Sequence, residues 1–220
     1  MDDNSNVSTY IIAFGSAAAG ALIGSLATYI LGCRQQETTE TNRRHGALIN
    51  TQFALFSQWK LVDGIRGNLL DPVRNDPNRF GKIRPAKFIR AQLSVPLSEL
   101  AFIANSETPN LIQEISDAEY AYLKTMLVLE LFNEYHSQLT NAYPPIPGTF
   151  DSKKSSGQIS APKHEFDIGN FHLENLYEQV DKAGPKIKQT IESIAGFVKK
   201  EFKGKKAIKL VPEQVVRIKQ

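Results

Sequence analysis

The sequence predicts a mainly α-helical protein with one N-terminal transmembrane helix, a small helical domain after it, and a short β element in the C-terminal tail. A long segment without charge lies near the N-terminus, and apolar residues recur at helical spacing through most of the remaining chain. The chain has 220 residues, of which 41% are hydrophobic and 22% charged, which matches an ordinary globular domain. We therefore expect one folded domain and one anchor.

The uncharged segment has the length of a membrane span. No charged residue occurs from Asn4 to Cys33, and the run from Tyr10 to Leu31 is apolar or small. At about 1.5 Å per residue this run reaches about 33 Å, enough for a hydrocarbon core of about 30 Å. A core helix of a soluble protein seldom extends so far without a charge. The pattern predicts a transmembrane helix over residues 10–32.

Other interpretations of this segment stay open. A cleaved signal peptide needs a positive start, whereas Asp2 and Asp3 precede this run and no Lys or Arg does. The stretch Ile30-Leu31-Gly32-Cys33 is similar to a bacterial lipobox, which would make Cys33 a lipidation site after cleavage. In a eukaryote this juxtamembrane thiol would be a palmitoylation candidate, and the third alternative is an unmodified thiol.

The flanking charges predict an orientation. Arg34, Arg43 and Arg44 follow the run, while no Lys or Arg precedes it. Because positive residues stay on the inner side, we expect the N-terminus outside and the C-terminal domain in the cytoplasm.

Small residues recur along one face of the predicted span. Ser16, Gly20, Gly24 and Thr28 are spaced by four, so a second helix can approach closely there. This face predicts self-association in the membrane, and the alternative is that small residues recur there by chance.

The remaining chain divides by composition and periodicity. The expected segments are a short outer tail (1–9), the transmembrane helix (10–32), a juxtamembrane segment (33–47), a helical domain (48–143), a Pro/Ser/Lys-rich linker (144–170), an amphipathic helix with a Gly-Pro break (171–204) and a basic tail (205–220). Residues 73–85 are expected to form a loop.

Two apolar stripes of helical spacing predict two helices. The first consists of Leu123, Met126, Leu127, Leu131, Phe132, Tyr135 and Leu139. The second consists of Leu173, Leu176, Val180, Ala183, Ile187, Ile191, Ile194 and Val198. Gly184-Pro185 is expected to kink or split the second helix, because proline removes a backbone donor.

No pattern of catalytic or metal-ligating residues is found. The single cysteine, Cys33, leaves the soluble part without a thiol. His164, Glu165, Asp167 and His172 lie near one another in sequence, but their spacing fits no helical metal motif, and no phosphate loop or nucleophile elbow occurs. We therefore expect no cofactor, no metal and no enzymatic activity.

Two basic surfaces remain as candidate binding sites. The first, which interleaves with Phe80 and Phe88, consists of Arg74, Arg79, Lys82, Arg84, Lys87 and Arg90. It would bind an anion, a nucleotide or nucleic acid. In the alternative, its arginines pair with Asp71 and Asp76 or cap helices. The second consists of Lys199, Lys200, Lys203, Lys205, Lys206 and Lys209, and suits contact with an anionic inner leaflet. In the alternative, these lysines only keep the protein soluble.

Three functional hypotheses follow from these patterns. The first is a self-associating, membrane-anchored protein without enzymatic activity, which senses, scaffolds or binds a protein partner of unknown identity. The alternative is a membrane-tethered module that binds a nucleotide or nucleic acid through the basic loop. The third is a membrane-associated enzyme of unrecognised type.

Overall fold

A computed structural model describes residues 3–83, 85, 94–144, 161–202 and 204, with side chains from Gly24 onward. The chain divides into two compact units, Met1–Gly46 and Ala47–Gln220. Helix α1 contributes residues to both units. The boundary lies next to the end of the expected juxtamembrane segment.

The described residues are mainly helical, as predicted, and contain no strand. The elements in chain order are α1 (Asp3–Gly64), a π-helical stretch (Ile65–Leu70), a 3-10 turn (Asp71–Val73), α2 (Arg79–Lys82), a 3-10 helix (Leu97–Asn105), α3 (Asn110–Ala142) and α4 (Lys163–Glu201). The β element expected in residues 205–220 lies outside the described residues.

In the first unit the side chains are described from Gly24 onward, and most of them are exposed on helix α1. Its clearest side-chain interaction is between Glu40 and two arginines, Arg43 and Arg44, which donate hydrogen bonds to its carboxylate at 2.8 Å. These hydrogen bonds lower the pKa of Glu40 to about 2. Within the part of the chain that the structure describes, no helix is long and apolar enough to cross a membrane. The side chains of the predicted span as far as residue 23 lie outside that part.

In the second unit, α3 and α4 pack along each other in antiparallel directions. The Tyr135 hydroxyl lies 2.7 Å from both the carbonyl oxygen and a carboxylate oxygen of Glu165, near the start of α4. Farther along α4, the Lys186 ammonium donates to Asp117, near the start of α3, at 2.9 Å. The contacted residues advance along α3 as they go back along α4, so the two helices are antiparallel.

The end of α1 and the π-helical stretch that follows it pack on the same α4 helix. The buried Gln52 amide donates to the Ile191 carbonyl at 3.1 Å, and the Tyr177 hydroxyl donates to the Leu70 carbonyl at 2.9 Å. These contacts also run antiparallel. Helix α4 is therefore the central element of the unit, with α1 and α3 both packed against it.

The apolar stripe predicted for α4 is confirmed, because all eight of its residues are buried. The helix begins at Lys163, within the residues assigned to the linker, and it continues through Pro185 without splitting. Ala183 and Ile187, on either side of the proline, are buried at 2% and 0% exposure. Core packing on both sides holds the helix together where one backbone hydrogen bond is lost.

The segment expected to be a loop contains the short helix α2, which inserts Phe80 into the core. The Phe80 ring is 1% exposed. Its centroid lies 5.5 Å from the ring of His136, 6.0 Å from Phe132 and 6.2 Å from Phe166. It also packs on the backbone of α4 at Gly169, where the Cβ atom of any larger residue would clash with the ring. One aromatic side chain thus ties this segment to α3 and α4.

Candidate functional surfaces

The basic loop is held against α4 by paired charges. Arg74 donates two hydrogen bonds to the carboxylate of Asp181, both at 2.9 Å, and a third to Asp71 at 3.2 Å. Its guanidinium also lies 4.7 Å from the ring centroid of Tyr177. The hydrogen bonds from Arg74 lower the pKa of Asp181, and those same contacts raise the pKa of Arg74. Arg74 is a charged link between the loop and α4.

The neighbouring cations of the loop also have carboxylate partners. Arg79 pairs with Glu174, donates to the Arg74 carbonyl at 3.2 Å, and lies 5.6 Å from the ring centroid of Tyr177. Lys82 pairs with Asp76, whose pKa it lowers. Arg74, Arg79 and Lys82 are brought together, as the first basic surface requires, but each is balanced by an acid.

The charge balance determines what this surface can bind. An open cleft of about 520 Å³ lies here, lined by Arg74, Asn75, Asp76, Pro77, Arg79 and Asn170. An anion entering it would compete with carboxylates that the guanidinium groups already contact. The described half of the surface matches the alternative in which loop arginines pair with acids. Arg84, Lys87 and Arg90 lie outside the described residues.

Two of the six C-terminal lysines are described. Lys199 is exposed at the end of α4. Lys200 forms an ion pair with Glu107, which precedes α3, and this contact raises the pKa of Lys200. The pair borders a cleft of about 420 Å³ that also contains Phe197 and Leu111. Lys203, Lys205, Lys206 and Lys209 lie outside the described residues.

Half of the small-residue face can be placed. Gly24 and Thr28 are exposed, and the Thr28 hydroxyl donates to the Gly24 carbonyl at 2.9 Å. A side-chain carbon added at Gly24 would meet nothing within 4 Å. This surface is therefore open to a second helix. Of Ser16 and Gly20, the structure describes only that they lie in α1.

Three of the four histidines contact aromatic or acidic side chains. His136 is packed against Phe80, and burial lowers its pKa. His172 stacks on Tyr135 with ring centroids 5.1 Å apart, while His164 lies 3.5 Å from a carboxylate oxygen of Glu165. No group of three or more potential metal ligands occurs among the residues that are described.

The outer face of α3 carries a surface that the sequence analysis missed. Leu123, Leu127 and Leu131, which belong to the predicted apolar stripe, are 52%, 54% and 44% exposed, and Tyr120 is 67% exposed. The core is reached instead by the neighbouring positions, including Met126, which is 2% exposed. The predicted helix is confirmed, but its apolar stripe is divided between two sides of α3, of which α4 covers one.

These four residues form a continuous row, which we call the outer row of α3: Tyr120, Leu123, Leu127 and Leu131. Residues three and four apart lie above one another on a helix, so the row extends over about 16 Å. The spacing of 123, 127 and 131 was visible in the sequence. The side that faces solvent was not, because this depends on where α4 packs.

Comparison of the chain with protein-family models, with curated proteins and with solved structures returned no match.

Proposed function

We propose that this chain is a membrane-anchored protein without enzymatic activity, whose helical domain binds a protein partner through the outer row of α3. The observation that carries the proposal is the exposure of four large apolar side chains in one continuous row. Single exposed leucines are ordinary, but a contiguous apolar surface is typical of a protein-binding site. The paired charges of the loop leave this row as the strongest candidate for a recognition surface.

The proposed anchor is the uncharged segment over residues 10–32, with the N-terminus outside and the domain cytoplasmic. Its support is the length of the run without charge and the arginines that follow it. The Glu40 contacts leave that argument intact, because acidic residues contribute little to orientation. A reporter fused after Gln220 should read as cytoplasmic, and carbonate should not release the protein. A reporter active only outside would refute the orientation.

Self-association in the membrane is the second part of the proposal, through Ser16, Gly20, Gly24 and Thr28. Lipid tails are as apolar as leucine, so helices associate there by close backbone approach. Gly20→Leu with Gly24→Leu should abolish the signal in a membrane self-association assay at equal expression. An unchanged signal would leave the glycines as spacers.

The partner-binding part is tested by photocrosslinking. A benzophenone amino acid replaces Leu127 in the full chain, and the control chain carries it at Lys188, an exposed position of α4. Adducts that form at position 127 and not at position 188 support a partner on the outer row. Equal yields at both positions would refute it.

The alternative, nucleotide or nucleic-acid binding through the basic loop, is directly testable. Phosphate contacts make such binding strongly dependent on salt. If residues 45–220 show no salt-sensitive binding to nucleotides or nucleic acid, the alternative is refuted.

A further inference from the structure

We infer that the basic C-terminal segment, residues 199–220, binds anionic phospholipid headgroups on the inner face of the membrane that holds the anchor. This inference rests on the anchor and orientation of the proposed function and adds a lipid-binding site to them. Its basis is the end of the second unit from which this segment leaves, together with the charge that the segment carries.

The basic segment begins at the end of the second unit where the chain enters that unit. Gln52 of α1 donates to the Ile191 carbonyl, whereas Leu70, farther along the chain, accepts from Tyr177, so this part of the chain runs antiparallel to α4. The last turn of α4 therefore lies at the same end of the unit as Ala47, its first residue.

The start of α3 lies at this end as well. Lys200 in the last turn of α4 forms an ion pair with Glu107, which precedes α3. Directly after α4, the 8% exposed Phe202 packs edge-on against Phe197 with ring centroids 6.5 Å apart. The segment therefore leaves the core from a defined point. We call this end of the unit, which carries Ala47 and Phe202, the anchor end.

Positive charge is concentrated at the anchor end. From Lys199 to the C-terminus eight residues are basic and two are acidic, a net charge of +6, whereas the whole chain has +3 and the residues before Lys199 therefore −3. The opposite end of α4 begins at Lys163, but Glu165 and Asp167 follow within one turn. Such an asymmetry indicates an anionic partner for the anchor end.

The headgroups lie within reach of the segment. Residues 33–46 join the predicted span to Ala47, and at about 1.5 Å per helical residue they bridge about 21 Å. The headgroup region occupies roughly 5–8 Å of this distance. Residues 203–209 reach at most about 25 Å beyond Phe202. Each lysine that comes near an anionic leaflet strengthens the contact about fivefold.

The composition of the segment favours lipid over nucleic acid. Proteins that bind single strands stack the bases on aromatic side chains, and no aromatic residue occurs after Phe202. Its large apolar residues are aliphatic and stand among the basic ones, a combination typical of segments that bind at the boundary between headgroups and acyl chains. They are Ile208, Leu210, Val211, Val215, Val216 and Ile218.

Fluorescence quenching in reconstituted vesicles tests this site in the full chain. Cys33→Ser removes the only cysteine, and a fluorophore is then attached through Ala207→Cys in the segment or Ser137→Cys, an exposed position near the other end of α3. The vesicles carry a quencher on their headgroups and contain phosphatidylcholine alone or with phosphatidylserine. We expect stronger quenching at position 207 with phosphatidylserine, loss of this difference at high salt, and no difference at position 137.

Two triple variants with the same change in charge separate the segment from the net charge of the chain. In the first, Lys205→Gln, Lys206→Gln and Lys209→Gln are combined, and quenching at position 207 should fall to the level seen with phosphatidylcholine alone. The control replaces three exposed lysines of α4 with glutamine and should retain the full difference between the two lipids. These are Lys163, Lys182 and Lys188.

Each other outcome overturns the inference. Equal quenching at position 207 in both lipids, or an equal loss in both triple variants, would show that the segment does not recognise the leaflet. A response at position 207 to added nucleic acid but not to phosphatidylserine would assign the lysines to nucleic acid. Carbonate extraction separates the proposals: a retained protein without lipid-dependent quenching refutes only this inference, whereas a released protein refutes the proposed anchor and the inference with it.

Discussion

Replacing Gly169 with alanine should destabilise the protein, although the same change usually strengthens a helix. A Cβ atom at Gly169 would lie within 2.6 Å of three ring atoms of Phe80, well inside van der Waals contact. The ring must then move by more than about 1 Å to restore a contact of about 3.5–4.0 Å. Phe80 is 1% exposed and surrounded by other aromatic rings, so it has no open direction in which to move.

The expected magnitude follows from two opposing effects. Overpacking of a well-packed core costs about 1–3 kcal/mol, and the buried ring places this site near the upper end. Alanine in place of glycine within a helix contributes about 1 kcal/mol in the stabilising direction. We expect Gly169→Ala to lower the free energy of unfolding by about 2 kcal/mol, the difference between these effects.

Gly196 provides a matched control within α4. A Cβ atom there meets nothing within 4 Å, so Gly196→Ala should stabilise the protein by up to about 1 kcal/mol. Urea unfolding measures the free energy of unfolding of both variants. The signal is the fluorescence of Trp59, the only tryptophan, which packs against the core. In a Phe80→Leu background, the cost of Gly169→Ala should fall. If Gly169→Ala is as stable as Gly196→Ala, the packing of Phe80 on α4 is incorrect.

Three further predictions concern the contacts of α4 and α3. Tyr135→Phe removes the hydroxyl that donates to Glu165 and should lower the free energy of unfolding by about 1–2 kcal/mol in urea titrations; no change would mean that water replaces the contact without cost. Arg74→Ala and Asp181→Ala, combined in a double-mutant cycle of unfolding free energies, should show a coupling energy of about 0.5–1 kcal/mol, since both side chains are partly exposed. A coupling energy of zero would show that this ion pair does not link the loop to α4. Burial lowers the pKa of His136 below its usual 6.5, so the unfolded chain binds the proton more readily, and the free energy of unfolding should fall as the pH drops from above 6.5 towards the lowered pKa. Unfolding curves of His136→Leu should lack this pH-dependent loss of stability. An equal loss in both proteins would assign the effect to another titrating group.

The sequence predicted α4 better than α3 for a physical reason. The eight apolar residues of the stripe predicted for α4 occupy one side of the helix, so they can be buried together, and all eight are. In α3, Leu127 lies directly beside Met126, and both belong to apolar rows of helical spacing. Periodicity alone cannot choose between two such rows. The position of α4 in the tertiary structure determines which of the two rows is buried.

The charged partners of the basic loop were beyond sequence reasoning for a related reason. Asp71 and Asp76 lie near Arg74 in the chain and were anticipated as partners, but Asp181 is 107 residues away. Nothing in a local window relates these two residues. The same holds for Gly169, which the sequence placed in the linker of residues 144–170 and which lies in α4 against the ring of Phe80.

The two candidate recognition surfaces differ in how many contacts their side chains already make within the folded domain. At the basic loop, the guanidinium of Arg74 has carboxylate hydrogen-bond acceptors and an aromatic face, so a ligand would have to replace existing contacts. On the outer row of α3, Leu123, Leu127 and Leu131 remain about half exposed, and burying them would remove apolar area from water at about 25 cal/mol per Å². A partner therefore has more free energy to gain at α3 than at the loop. This difference, more than the number of basic residues, favours recognition through an apolar helix face.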